Sequence, residues 1–187
     1  MTSISPFDYS WNGFERKAFI DGKSEILSKR KIKIDDVPDK RNKLVAILEK
    51  LPHKYLAKWS IENAQAYLPL IDIGDNKIKS EIITETSQIL AKTIDGKSGA
   101  FELRKAGFLA NTLSKKSLND ISKFSARVFA QAIASGHMRS HGIVSSDYAI
   151  KVVNMQWPND RSKVASERDR QIELAKEIWH EFERGSH

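Results

Sequence analysis

After Asp36, apolar positions recur at three- and four-residue intervals in a series of blocks, each closed by proline, glycine or a polar cluster. That spacing lines one face of a helix of 3.6 residues per turn. The chain is therefore predicted to be all-α, a single-domain bundle or array of about seven helices with short connections. In the first block Leu44, Ile47, Leu48 and Leu51 keep the period, with Asp36 as the expected cap and Pro38 in the first turn. Pro52 ends that helix and opens a second through Tyr55, Leu56, Trp59, Ile61, Ala64 and Leu68, which Pro69 stops. Its apolar residues face several ways, as in a helix covered on most sides. Beyond Gly74, the residues Ile78, Ile82, Ile83, Ile89, Leu90 and Ile94 form the clearest stripe, and Gly96 stands where a left-handed stop belongs.

Ser98 is the expected cap of a fourth helix carrying Leu103, Ala106, Leu109, Ala110 and Leu113 on one face and Glu102, Arg104 and Lys105 on the other. Ser117 is the expected cap of a fifth, with Leu118, Ile121, Phe124, Val128 and Ala132 turned inward. Residues 126–134 are almost uniformly small and apolar, the composition of closely approaching helices, and Gly136 interrupts them. Ser145, Ser146 or Asp147 then caps a helix through Tyr148, Val152 and Val153 that ends at Pro158. The last runs from about Asp160 to Glu183 with Ile172, Ala175, Ile178, Trp179 and Phe182 inward.

Residues 1–36 break this rhythm. Phe7, Tyr9, Trp11, Phe14 and Phe19 follow no helical period, Asp21-Gly22 suits a tight turn, and Ile32 and Ile34 alternate with lysines. This region is expected to be an arm, irregular or a short hairpin, anchored on a helical domain of residues 37–184. Gly185-Ser186-His187 has the look of a purification-tag remnant.

Hydrophobic residues make up 40% and charged residues 29% of the 187, which is globular rather than disordered composition. The chain has no cysteine, so disulfides, thiolate zinc sites and a cysteine nucleophile are excluded. No apolar run approaches the roughly 18 residues that span a bilayer. The start lacks a basic-then-apolar leader. A cytoplasmic protein without membrane partners is the expectation. Of the net charge of +7, residues 97–140 carry +6, from eight basic residues against Glu102 and Asp120. Such a field favours an acidic partner, protein or nucleic acid, although a charge run is also an ordinary solvated helix face.

Catalytic signatures are missing: no Walker phosphate loop, no dinucleotide Gly-rich turn, no Gly-x-Ser-x-Gly elbow and no His-Glu-x-x-His helix. His137-Met138-Arg139-Ser140-His141, with Gln131 upstream, is the one local constellation. In a helix, His137 and His141 share a face and could supply two imidazole ligands, with His53 or Asp147 as a third. The competing reading is a histidine pair at an interhelical bend, bonded to freed carbonyls. Asp72, Asp75 and Glu81 are explained by the positive end of a helix dipole. Trp59 and Trp179 sit on apolar stripes as core residues.

Taken together, Leu56-Ala57-Lys58-Trp59 with Ala64 and Leu68-Pro69-Leu70, the alanine-rich segment from Ser125 through Gln131 to Ile133, His137 and His141 with Tyr148-Ala149-Ile150-Lys151, and Glu167-Arg168 with Gln171 resemble the bacterial putative immunity proteins. These are small helical antidotes of polymorphic toxin systems, and the resemblance covers roughly residues 38–175. Lys115, Lys116 and Lys123 stand where that family carries more alanine, and the Trp59 helix lacks its frequent cysteine.

The resemblance implies a chain that binds and neutralises a cognate toxin, without catalysis or cofactor. It makes Trp59, Tyr148, Arg168 and Gln171 structural family positions. The partner-binding candidates are His137, His141, Arg139, Gln131, Lys115, Lys116, Lys123 and Arg127. Inhibitors that cover a basic nuclease cleft are expected to be acidic, so this basic chain implies a target with an acidic surface. The rival readings are a helical nucleic-acid binder using residues 97–140 and a metal-dependent enzyme at the histidine pair.

Overall fold

The computed structural model describes residues 4–23, 30–97 and 99–185. Among them are nine α-helices, one 3-10 turn and no strand: α1 (Pro6–Tyr9), α2 (Gly13–Ile20), α3 (Pro38–Glu49), α4 (His53–Gln65), the turn Leu68–Leu70, α5 (Asn76–Ile94), α6 (Ala100–Lys116), α7 (Asp120–Ala134), α8 (Ser140–Gln156) and α9 (Arg161–Gly185). The all-α architecture read from the periodicity is the observed one.

Helix α7 lies at the centre, against α6, α8 and α4. Its small residues Ala126, Ala130 and Ala132 and its large Phe129 and Ile133 are all buried, so the neighbouring backbones come close. Leu90 of α5, Leu103 and Leu113 of α6 and Val152 of α8 complete this core. A second core joins α3, α4 and α9 through Leu44, Leu48, Leu56, Trp59, Ile172 and Ile178. At Gly136, between α7 and α8, an added Cβ would stand 2.6 Å from both Leu103 and Leu90, so packing demands glycine there.

Several expected caps are placed differently. Val37, not Asp36, precedes α3 and gives it no side-chain cap; Pro38 starts the helix with a preset φ, and Asp36 is drawn into the interior. Ser98 lies outside the described residues, as do Ser186 and His187, and Gly99 is the residue before α6. Ser117 closes α6 rather than opening α7, which Asn119 caps through Ser122 N at 2.9 Å. Leu118, expected inside, is therefore in the connection and 65% exposed. Ser145, Ser146 and Asp147 lie in the middle of α8, buried, because that helix starts at Ser140.

The described part of the first 36 residues is not a hairpin. Ser5 caps α1 through Asp8 N, and Asn12 caps α2 through Phe14 N and Glu15 N. Asp21-Gly22 is the stop of α2: Gly22 has φ 68° and Lys23 N reaches back to Ala18 O at 2.8 Å. Gly96 ends α5 in the same way, with φ 72° and Lys97 N on Lys92 O. Residues 33–37 run outside any helix along α8, where Ile34 and Val37 pack on Ile150, Val153 and Val164.

A buried charge network and an unpaired basic face

The polar residues singled out in the sequence divide into an interior set and a surface set. Arg168 of α9 is the centre of the first. Its guanidinium donates to Asp36 Oδ1 (2.9 Å) and Oδ2 (2.8 Å), to Asp147 Oδ1 (2.8 Å), to Gln171 Oε1 (2.9 Å) and to Ser146 Oγ. Arg41 of α3 takes the other side of Asp147 with two bonds, at 2.9 and 2.8 Å. Two arginines and two aspartates, from α3, its preceding segment, α8 and α9, thus cancel inside the protein. Burial alone would raise the Asp36 pKa, but the hydrogen bonds and charge of Arg168 outweigh it and hold the carboxyl below its ordinary value. Gln171 extends the network to Glu167 (2.9 Å), and the Trp59 indole N–H bonds the Gln171 carbonyl at 3.1 Å.

A second junction lies under the arm. Arg139, expected at a partner surface, is 1% exposed. Its side chain donates to the carbonyls of Tyr9 (2.7 Å), Leu51 (2.8 Å) and Leu48 (3.0 Å), the last two being the open end of α3. A cation at a helix C-terminus suits both the charge and the open carbonyls there, and at this depth the side chain presents no surface to a partner. Glu15 of α2 covers the start of α8, accepting from Arg139 N at 3.0 Å and Ser140 N at 3.3 Å. His53 accepts from Trp11 N at 2.9 Å through Nδ1 and bonds Ser135 O at 2.7 Å through Nε2, with the Trp11 ring stacked on its own. Burial drives its pKa down to about 3, so it is neutral.

These partners dispose of the metal-site geometry read from the sequence. His53 and Asp147 are committed elsewhere, and His137 lies in the turn before α8 rather than on a helix with His141. No group of three or more His, Asp or Glu that could hold a metal occurs among the described residues.

The surface set gathers on α6, α7 and the turn into α8. Arg104 Nη2 lies 3.4 Å from His137 Nε2, and His141 Nδ1 lies 2.7 Å from Gln131 Oε1. Desolvation lowers the pKa of both histidines, with Arg104 adding to it at His137; His141 falls to about 4. Gln131, His137 and His141 line one hollow of about 500 Å³ with Arg104, Gly107 and Phe108. Further along, Arg127 stands 5.3 Å over the Phe124 ring and 5.7 Å over Tyr148, with Lys123 and Lys151 over Phe124. Lys115 and Lys116 are exposed at the end of α6.

Among the described residues, none of Arg104, Lys105, Lys115, Lys116, Lys123 and Arg127 has an acidic partner within 4.0 Å. Sequence reading missed Phe101 and Phe108, which are 66% and 71% exposed. Their seven-residue spacing, away from Leu103, Ala106 and Ala110, was the available signal.

The Imm-5 like putative immunity protein family matches residues 46–178. The chain belongs to this family. No curated protein and no solved structure matches it. The family match takes in the whole of α4 to α8, hence the basic face and the histidine pair, and the first part of α9 with Arg168 and Gln171. Asp36, Arg41, Glu15 and Trp11 lie before it, so residues preceding the family region complete both buried polar junctions. Among the described residues no helix is long and apolar enough to cross a membrane.

Proposed function

We propose that this member of the immunity family neutralises a cognate bacterial toxin from the cytoplasm by docking on it, with no chemistry of its own, and that the docking face is the outer side of α6 and α7 with the turn into α8. The observation that carries this reading is the set of six cations without acidic partners among the described residues, interleaved with exposed Phe101 and Phe108. Exposed aromatics are the usual anchors of an interface, and unmatched charges of one sign select a surface of the other. The target surface is therefore acidic. Lys115, Lys116, Lys123, Arg127, Gln131, His137 and His141 are the contact residues, and Arg139 acts from inside by holding α1, α3 and α8 together.

Titration against a candidate toxin domain at rising ionic strength tests this. Affinity falls as salt rises, because exposed charge pairs are screened over about 10 Å at 0.1 M. Charge reversal at Lys115, Lys116 and Arg127 together weakens binding by roughly tenfold or more, at about 0.5 kcal/mol per exposed pair. Salt-insensitive association overturns the reading. A nucleic-acid partner is the second reading, favoured by the gathering of Arg127, Lys123 and Lys151 around the rings of Phe124 and Tyr148. It requires a log-log salt slope that shrinks by about one for each neutralised phosphate contact.

A further inference from the structure

Resting on that reading, we propose that the hollow between α6 and α7 is a socket for one acidic side chain of the partner together with its apolar stem or neighbour, and that Gly107 keeps the socket open. Its polar rim holds a fixed cation, Arg104, an amide, Gln131, and two imidazoles, His137 and His141; none of its lining residues is acidic. A guanidinium can only donate, so His137 Nε2 accepts from Arg104 and the other ring nitrogen carries the proton. His141 gives its Nδ1–H to Gln131 Oε1, which leaves Arg104, the Gln131 amide N–H and the remaining His137 N–H as the donors on a rim without a carboxylate. That set suits an incoming carboxylate, and Arg is the side chain best shaped to bind one. The floor and wall, Leu103, Ala130, Ala134 and the ring of Phe108, suit methylene groups rather than a bare anion.

Gly107 is the independent observation. Inside a helix, glycine is the least favourable residue after proline. At Gly142 of α8 packing explains it, since a Cβ would meet Ser60 Oγ at 2.9 Å. At Gly107 a Cβ would find Ala134 at 3.7 Å, an ordinary contact, and the backbone φ is not positive. Neither the backbone nor the packing calls for glycine there. What a side chain at 107 would take away is the depth of the hollow that Arg104, Phe108, Gln131 and His141 surround.

The test is a heteronuclear NMR titration with N-acetyl-Glu-Leu-amide, its uncharged counterpart N-acetyl-Gln-Leu-amide, and a short oligothymidylate. The Glu peptide shifts Gly107, Gln131 and His141 resonances with Kd on the order of 1 mM, as a ligand of that size allows. The Gln peptide binds about two- to fivefold more weakly, the loss of one exposed ion pair. Gly107→Ala raises the melting temperature and keeps most of the binding. Gly107→Leu folds at least as stably as wild type but loses the peptide response, which separates blocking from misfolding.

Equal binding of the two peptides, shifts that map elsewhere or not at all, or a Gly107→Leu variant that binds as wild type overturns the socket. So does an oligothymidylate that fills the hollow where the Glu peptide does not, or self-association that closes it. If a toxin domain binds wild type and Gly107→Leu equally, the socket fails and the immunity reading stands. If the Glu peptide binds as described while no toxin domain associates in a salt-dependent way, the socket stands and the immunity reading fails.

Discussion

Replacing Arg168 by Met removes five side-chain hydrogen bonds from a fully buried position while keeping much of the volume. Asp147 keeps its two bonds from Arg41. The Asp36 carboxylate keeps Val37 N at 2.8 Å and a long ion pair with Arg30 at 3.9 Å. A carboxylate with no exposed side-chain surface is thereby left nearly unpaired. Breaking a buried pair from one side costs about 3–5 kcal/mol, a fifth or more of the roughly 5–15 kcal/mol that a domain has. At about 2–4 °C per kcal/mol for a chain of this size, melting falls by roughly 6–20 °C.

Urea unfolding followed by circular dichroism measures the loss as a lower midpoint at constant slope. Adding Asp36→Asn to Arg168→Met neutralises the stranded carboxylate and recovers about 1–3 kcal/mol of it. A loss under about 1 kcal/mol, or single-variant effects that simply add, would refute the assignment of Arg168 as the charge that holds α3, α8 and α9 together.

Two further outcomes follow from the arm junction. His53 has a folded pKa of about 3 against about 6.5 unfolded, so the stability it secures is complete above pH 6.5. As pH falls from 6.5 toward 3 only the unfolded chain takes up the proton, and stability drops by up to about 1.4 kcal/mol per unit. Melting temperatures between pH 7.5 and pH 5 should therefore fall, and His53→Gln should flatten the slope; a pH-independent wild type contradicts this. Glu15→Ala uncovers the first N–H groups of α8 and should cost about 1–2 kcal/mol, with Glu15→Gln costing less because one acceptor remains. Hydrogen exchange at residues 139–142 checks it: unchanged rates in Glu15→Ala remove the trans cap.

The helices were legible because each buries a continuous stripe, and the stripe at Ile82 and Leu90 or at Leu103, Ala106 and Ala110 needs no knowledge of its neighbours. Caps were less legible. Asp36, Ser146 and Asp147 have the side chains of good helix starts, and those same short polar groups satisfy a buried arginine. Local sequence does not distinguish the two uses, because the deciding partner, Arg168, lies 132 residues from Asp36. Arg168 was singled out as a structural position by the family resemblance alone, since its charged neighbours on α9 give no local sign that it is buried. The helical shape of the arm was hidden for a related reason: Tyr9 and Trp11 keep no period because they answer to Arg139 and His53 on the helical domain. On the candidate site, the basic stretch and the grouping of Gln131 with His141 were readable. The burial of Arg139 was not, since a bend residue flanked by histidines gives no sign of pointing at the end of α3.

Hydrogen–deuterium exchange of the chain with and without a neutralised toxin domain tests the docking face most directly. The expected result is added protection confined to residues 100–141, strongest around Phe108, Gln131 and His141, and diminished when Lys115, Lys116 and Arg127 are reversed. Protection on α3 and α9 with residues 100–141 unchanged would contradict it.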